Sequence, residues 1–314
     1  MRFIAATEIE ARWSVGCRRL AVVAFLASLF VTPALLAQEN DPELKPRTVE
    51  LRTKDGLKLR AFYFPSDKGK QAKTVLLVHE WRGQASPYVK LVLALRESGC
   101  AVLVPDYRGH GGSREQINSK GQKEEMDAAQ MSKGDIENII RFDLEQAKSF
   151  LKVENNEENL NLNALVVVGV GEGCAMAAHW AQRDWSFASV GRIKRGQDVK
   201  GLVFISPTRQ AKGVPIDSTL ANRSILLQLP IMIVSGDDSP NAADAERIAK
   251  RVETAKKKLQ RGSTATGFEF KRYDTGLSGA SLVKDIPAVI PAITKFIETE
   301  IKISNGRNPW VKRE

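Results

Sequence analysis

Histidine is scarce in this sequence, with only three among 314 residues, and none of them follows His179. None of the three stands at ligand spacing from a cysteine, so the sequence predicts no metal centre, and we expect no cofactor. The C-terminal third therefore contains no imidazole, the side chain that most often serves as a general acid or base in catalysis.

Cysteine is equally rare, with Cys17, Cys100 and Cys174 as the three examples. Cys100 lies just before one predicted strand and Cys174 just after another. In a parallel sheet these positions are at opposite edges, too far apart for the short span of a disulfide. The sequence therefore predicts that Cys100 and Cys174 are reduced, buried thiols.

Long apolar runs are absent except near the N-terminus, where Leu20–Ala37 is uncharged. An Arg-bearing start precedes this run and a polar stretch begins at Gln38, which is the pattern of an export signal. We expect residues 1–37 to be a signal peptide, the protein to be periplasmic or extracellular, and residues 38–46 to be a linker. About 18 apolar residues also just span a bilayer, so an uncleaved membrane anchor over residues 20–37 is the alternative.

Acidic residues are in the minority, since 47 Lys and Arg face 37 Asp and Glu for a net charge of +10. Without residues 1–37 the count becomes 43 against 35, a net charge of +8. Such an excess favours loose association with anionic surfaces. We expect a small molecule or an anionic surface as ligand and no nucleic acid, because no nucleic-acid-binding motif is present.

Apolar patterning predicts the strands. Alternating runs on either side of Asp55-Gly56 indicate an antiparallel hairpin. Continuous apolar runs typical of strands buried on both faces follow. These runs are Thr74–His79, Ala101–Asp106, Ala164–Val168, Lys200–Ile205 and Ile231–Ser235. A final strand is predicted over Gly267–Tyr273.

Helical periodicity predicts the segments between the strands. They are Pro87–Ser98, Asp135–Leu151 with Asp135 as N-cap, Cys174–Gln182, the basic run Arg247–Arg261, and residues 284–303. Residues 113–133 are polar and are predicted to form a loop. The alternation predicts one α/β domain over residues 47–303, with a mainly parallel twisted sheet, helices on both faces and a flexible tail over residues 304–314.

Four motifs resemble those of the α/β-hydrolase family, in the same order along the chain. They are Thr74–Gly83 (TVLLVHEWRG, a strand and oxyanion loop), Pro105–Ser113 (PDYRGHGGS, the Asp-x-Arg-Gly-x-Gly-x-Ser turn), Val168–Cys174 (VGVGEGC, the nucleophile elbow) and Leu229–Pro240 (LPIMIVSGDDSP, the strand before the catalytic acid). The resemblance covers residues 46–303 and implies the α/β-hydrolase fold. It also implies architectural roles for His79 and His110, while His179 is expected inside a helix.

The triad that the resemblance implies is degenerate at each position. Gly171 stands at the nucleophile position, and glycine has no side chain to attack a carbonyl. Ser239 occupies the slot of the catalytic acid, with Asp238 as a displaced candidate, and Ser278 stands where the histidine is expected. Without a base, even an intact serine would be a weak nucleophile at neutral pH.

The predicted oxyanion region is acidic. Glu80 replaces the glycine that the family usually has after His79, and Glu172 follows Gly171. Carboxylates here oppose the stabilisation of an oxyanion. Backbone N–H groups of Trp81 and Glu172 still offer donors for an anion or a carbonyl.

Three functions remain open from the sequence. The first is an exported pseudoenzyme with a ligand-binding or interaction role at the cell envelope. The second is an esterase or peptidase with relocated residues, such as Cys174 or Ser206 as nucleophile. The third is dinucleotide binding at Gly169-x-Gly171-x-x-Cys174, although that fingerprint normally opens its fold and needs an acidic residue after the next strand.

Overall fold

One sheet of eight strands contains most of the strand residues of the protein. The computed structural model describes residues 44–117, 121–191 and 193–314. The strands of the sheet are β1 (Arg47–Arg52), β2 (Lys58–Phe64), β3 (Lys73–Val78), β4 (Cys100–Pro105), β7 (Asn161–Val170), β8 (Val199–Ile205), β11 (Ile231–Gly236) and β12 (Phe268–Tyr273). Two small antiparallel pairs join β5 (Glu115–Ile117) to β6 (Lys123–Glu125), and β9 (Gln210–Ala211) to β10 (Val214–Pro215).

The strand order is β1-β2-β4-β3-β7-β8-β11-β12. The pairs β1/β2 and β2/β4 are antiparallel, and every other pair is parallel. The predicted N-terminal hairpin and mainly parallel sheet are therefore confirmed. The pair of strands β5 and β6 lies within residues 113–133, where the sequence predicted only a loop.

Helices cover both faces of the sheet. They are α1 (Val89–Glu97), α2 (Lys133–Asn138), α3 (Leu144–Asn156), α4 (Gly173–Ser186), α5 (Arg223–Gln228), α6 (Ala242–Gln260), α7 (Gly279–Asp285) and α8 (Val289–Glu300), with a π-helical turn at Ile139–Asp143. Alternate residues of β7 face opposite cores. Val167 packs in the cluster that contains Trp180 of α4, and Val166 packs in the cluster that contains Ile293 of α8. Burial on both faces explains why the central strands read as unbroken apolar runs.

The helix predicted over Asp135–Leu151 begins earlier and is interrupted. Ser132 is its N-cap, and the backbone N–H of Ser132 donates to Asp135 Oδ2 at 2.7 Å. Asp135 therefore caps the helix from the third position and is not the N-cap itself. The π-helical turn at Ile139–Asp143 then separates α2 from α3.

The last predicted helix, over residues 284–303, is two helices. α7 ends at Asp285, and Ile286 is extended with φ −102° and ψ 102°. Because a proline disfavours helical backbone in the residue before it, Pro287 forces this break. α8 then ends at Glu300, three residues before the predicted end.

Several sequence-based predictions concern residues 1–43, which lie outside the described residues. They are the signal peptide, the alternative anchor over residues 20–37, Cys17 and most of the linker. Leu44–Glu314 form one compact unit. None of the helices in the described part of the chain has the length and apolar character needed to cross a membrane.

Residues 304–314 differ from the predicted flexible tail, because their backbone is held by side chains next to β7. Three side-chain amides of α3 and β7 donate to backbone carbonyls of this segment. Asn161 donates to Asn308 at 3.0 Å, Asn163 to Pro309 at 2.8 Å, and Asn155 to Val311 at 3.1 Å. The polar composition of the tail suggested solvent exposure. Its polar groups instead pair with the buried asparagines.

Arg313 anchors this segment in a buried cluster of charges. Its guanidinium donates to Asp198, and the two residues are 4% and 1% exposed. Asp198 also pairs with Lys148 at 2.9 Å and with Lys194 at 3.1 Å. A buried carboxylate is tolerated only with such partners.

We expect Arg313→Ala to lower the free energy of unfolding, measured by urea denaturation. The loss should be about 2 kcal/mol, below the range for a buried charge that loses its sole partner, because Lys148 and Lys194 remain beside Asp198. Lys312→Ala is the matched control, since Lys312 is exposed and adjacent. Equal stability of the two variants would show that Arg313 does not anchor the segment.

Candidate functional site

The turn between β7 and α4 has the geometry of a nucleophile elbow with Gly171 at its apex. Gly171 has φ +54°, in the left-handed region that this sharp turn requires. A Cβ added to Gly169 would lie 2.6 Å from Cα of Cys174, and one added to Gly173 would lie 2.4 Å from the carbonyl oxygen of His79. These contacts exclude side chains at both flanking positions, as the turn predicted around Gly171 requires.

Glu80 occupies the space in front of Gly171. A Cβ added to Gly171 would lie 3.1 Å from Cβ of Glu80. At its far end, Glu80 Oε2 accepts a hydrogen bond from the backbone N–H of Ala280 at 3.2 Å. A Cβ on Gly279 would approach the same oxygen to 2.0 Å. The Glu80 side chain thus extends from the nucleophile position to the segment where a histidine is expected.

Two carboxylates meet at this site. Burial raises the pKa of Glu80, the Ala280 N–H opposes the rise, and the nearby charge of Glu172 adds to it. Glu172 Oε2 accepts from the backbone N–H of Trp81 at 3.4 Å. The Trp81 N–H, which the sequence offered as a donor for an oxyanion, is therefore directed at a carboxylate.

The segment in which the sequence predicts the histidine position contains Ser278 and the start of α7. Ser278 is half-buried and is the N-cap residue of α7. The N–H of Gly279 donates to Oγ of Ser206 at 2.9 Å. Ser206 is fully buried with φ +48°, so its hydroxyl links the end of β8 to the start of α7.

The segment in which the sequence predicts the position of the catalytic acid is a closed turn. Ser239 is 7% exposed, and its hydroxyl donates to the carbonyl of Gly236 at 2.8 Å. Asp238 is exposed, and its backbone N–H donates to the carbonyl of Thr275 at 3.2 Å. Ser239 therefore stabilises the turn after β11, and Asp238 lies at the surface of that turn.

Both cysteines of the described chain are free and fully buried, which confirms the predicted reduced thiols. Cys174 lies in the first turn of α4 and its thiol donates to the carbonyl of Ile205 at 3.6 Å. Burial raises the pKa of Cys174 well above its ordinary value and also raises the pKa of Cys100. A thiol in this environment stays protonated and is a poor nucleophile.

A cluster of aromatic rings supports the backbone of Glu80. Tyr107 stacks on His79 at 4.2 Å and lies 4.3 Å from His110, which meets Trp81 edge-on at 4.5 Å. The Tyr107 hydroxyl donates to the carbonyls of His79 and Glu80 at 3.0 and 3.1 Å. Burial lowers the pKa of His79 and of His110 to about 4, so both imidazoles are neutral at physiological pH.

Asp106, in the turn after β4, is a structural residue that the sequence did not single out. Its carboxylate is fully buried. It accepts from Arg60 at 2.8 and 3.1 Å, from the N–H of Ala85 at 3.2 Å and from the N–H of Gly112 at 2.8 Å. Asp106 belongs to the motif Pro105–Ser113, but its partner Arg60 is 46 residues away.

The structure shows how the candidate metal ligands and the dinucleotide-like pattern are arranged. Within the described ranges no group of three or more His, Cys, Asp or Glu side chains is placed to hold a metal ion. The third position of the dinucleotide-like pattern is Cys174, whose side chain is buried in the core. The next strand, β8, ends at Ile205 and is followed by Ser206, where a dinucleotide site needs a carboxylate for the ribose.

Comparison of the sequence with protein families identifies its relatives. The family described as "Serine aminopeptidase, S33" matches residues 69–248, which is more than half of the chain. The chain belongs to this family of α/β-hydrolases. The matched range contains the predicted oxyanion loop, the turn at Gly171 and the loop of Asp238, but it ends before Ser278.

Solved structures of esterases share the fold of this family member. An esterase of Pyrococcus furiosus has a TM-score of 0.57 at 17% identity, covering 86% of this chain and 94% of that one. A fungal esterase from Rhizomucor miehei has a TM-score of 0.56 at 14% identity, with 88% of each chain covered. The esterase of Pyrobaculum calidifontis has a TM-score of 0.56 at 14% identity, covering 85% and 89%.

Closer sequence relatives match only in part. Uncharacterized proteins from two strains of Mycobacterium tuberculosis are 36% identical over 84 residues, which is 27% of this chain. The match spans 30% of the length of these relatives.

We expect neither thiol to react with Ellman's reagent in the folded protein. The rate should be at least about a hundredfold below that of an exposed cysteine, because both thiols are buried and protonated. Unfolding in denaturant should release two reactive thiols from a chain that begins at Gln38. Rapid modification of Cys174 in the folded protein would contradict its assignment as a core residue.

We expect Glu80→Gln to stabilise the protein increasingly as the pH rises from acid to neutral. The pKa of Glu80 is raised in the folded state above its ordinary value of 4.5. Stability is therefore highest while the carboxyl is protonated in both states, and it falls as the pH rises from the ordinary to the raised pKa. The amide of Gln keeps an oxygen for the Ala280 N–H and carries no charge.

The measurement is the free energy of unfolding of wild type and variant at a series of pH values. Glu97→Gln is the control, because Glu97 is exposed on α1. Wild type and Glu80→Gln should converge at acid pH and separate towards neutral pH. If the plots of unfolding free energy against pH ran parallel for all three proteins, folding would not raise the pKa of Glu80.

Proposed function

We propose that the protein is an exported member of its family that does not hydrolyse substrates by a Ser-His-Asp mechanism. In this proposal it binds a ligand or a protein partner at the cell envelope. The observation that carries the proposal is the Glu80 side chain, which extends from Gly171 to Gly279. It fills the space in which a serine and a histidine would have to meet.

The electrostatics of the site support the same conclusion. Acyl transfer by this family needs hydrogen-bond donors aimed at a developing oxyanion. Here Trp81 N–H is directed at Glu172, and Glu80 adds a second carboxylate. Acidic side chains at this position oppose the stabilisation of an oxyanion, whereas they leave a neutral or cationic ligand group unopposed.

Export rests on the sequence of the N-terminus. The Arg-bearing start and the uncharged run Leu20–Ala37 have the pattern of a signal peptide. A role outside the cytoplasm also agrees with the net charge of +8 that remains after residue 37, since a basic surface favours contact with anionic components of an envelope.

Hydrolysis by relocated residues is the second candidate function. Membership of the serine aminopeptidase family and the esterase folds of the structural neighbours favour it. Its two candidate nucleophiles are poorly placed, because Cys174 and Ser206 are fully buried. Asp238 is the accessible carboxylate among the relocated candidates.

The deciding experiment is a hydrolase screen of the purified chain from Gln38 to Glu314. Nitrophenyl esters of several chain lengths and aminoacyl nitroanilides are the substrates, and a fluorophosphonate probe reports any reactive serine. We expect no turnover above the uncatalysed rate and no labelling, because Gly171 has no side chain and the candidate nucleophiles Cys174 and Ser206 are buried. Gly171→Ser should remain inactive for lack of a histidine.

The variants distinguish the two functions. Turnover that is lost in Asp238→Asn but kept in Cys174→Ala and in Asp285→Asn would overturn the proposal and support relocated catalysis. Asp285 is the matched control, because it is an exposed aspartate at the end of α7. Turnover lost in Cys174→Ala alone would also overturn it and would assign the nucleophile to the thiol.

A further inference from the structure

Two neighbouring cavities beside the π-helical turn are rich in arginine and lysine. The first has a volume of about 460 Å³, and its cationic lining residues are Lys133, Arg141 and Arg183. The second has a volume of about 360 Å³ and is lined by Lys54 together with the same two arginines. Because they share Arg141 and Arg183, we treat the two cavities as one site and call it the arginine groove.

The arginine groove has more positive than negative charge. Its carboxylates are Glu137, 3.7 Å from Lys133, and Glu145, 3.3 Å from Nε of Arg183. Arg141 is exposed and lies over the ring of Phe142 at 5.4 Å, and it forms no ion pair with any described residue. Its guanidinium is therefore available to an anion.

The π-helical turn directs Arg141 into the groove. Ile139, Ile140 and Asp143 of this turn are buried. The carboxylate of Asp143 accepts a buried hydrogen bond of 2.6 Å from Nη2 of Arg108. With these three residues held inward, Arg141 is the charged residue of the turn that remains in solvent. Such turns insert one residue into a helix and occur frequently at functional sites.

Helix α4 supplies the opposite side of the groove. His179 and Arg183 are four residues apart and so lie on one face of the helix. Nε2 of His179 donates to the carbonyl of Pro215 at 2.8 Å, which fixes strand β10 (Val214–Pro215) against the helix. Together with Ile140 this strand gives the first cavity an apolar wall next to its cations.

We propose that the arginine groove binds a ligand that carries a phosphate group attached to an apolar body. Two guanidinium groups and a lysine match the several oxygens and the double charge of a phosphate monoester. The apolar wall then contacts the adjoining part of the ligand. The site shares no residue with the region around Gly171, so it stands independently of the proposed loss of hydrolysis.

Calorimetric titration with phenyl phosphate tests the soluble form of such a ligand. Wild type should bind it, and Arg141→Gln and Arg183→Gln should each weaken binding by about tenfold or more, as expected for the loss of a charge-assisted contact. Arg247→Gln on α6 is the control, because Arg247 is an exposed arginine that does not line the groove. Arg141→Gln alters an exposed side chain, so it should fold even if Arg183→Gln does not.

Co-sedimentation with vesicles distinguishes a lipid headgroup from a free phosphate ester. Phosphatidylcholine vesicles that contain phosphatidic acid, whose headgroup is a phosphate monoester, are compared with vesicles of phosphatidylcholine alone for the same variants. Binding that requires both the anionic lipid and Arg141 supports the groove and identifies a headgroup as the source, whereas Arg141-dependent binding of phenyl phosphate alone identifies a soluble ester. Binding that Arg141→Gln leaves unchanged, or absence of binding to both probes, would overturn the proposal.

Discussion

The buried carboxylate of Asp106 holds together the segments on which the region around Gly171 is built. It joins Arg60 of β2 to the loop after β3 through Ala85, and to the turn after β4 through Gly112. Removing a carboxylate from water costs several kcal/mol unless donors replace the lost hydration, and four N–H donors do so here. The loop after β3 carries Glu80, so the fixed position of Glu80 depends on this anchor and on Tyr107.

Much of the fold could be predicted from the sequence because burial on both faces leaves a continuous apolar run. Two boundaries of strands and helices differ from the prediction for identifiable reasons. β7 begins three residues earlier than its apolar run, at Asn161, because buried asparagines there pair with the C-terminal segment. The break between α7 and α8 follows from Pro287, a local signal that the overall periodicity of residues 284–303 concealed.

In the region around Gly171, only the features that depend on residues close together in the sequence could be predicted. The flanking glycines indicated a sharp turn around Gly171, and backbone contacts do exclude side chains at Gly169 and Gly173. The path of Glu80 was not predictable, because its carboxylate bonds a residue 200 positions away. The arginine groove was equally hidden, since a π-helical turn has no sequence signature of its own and the sequence indicated an unbroken α-helix there.

The ion pair between Arg313 and Asp198 can form only late in folding. Arg313 is separated from Asp198 by 115 positions, and the strands β8, β11 and β12 must all be made before the two can meet. Contacts between such distant positions form late, because the entropy of closing the intervening loop has to be overcome first. Until then Asp198 has only its two lysines, and β7 lacks the backbone carbonyls that its asparagines bind. The buried asparagines of β7 and the carboxylate of Asp198 therefore gain their full set of partners only when the last residues of the chain are in place.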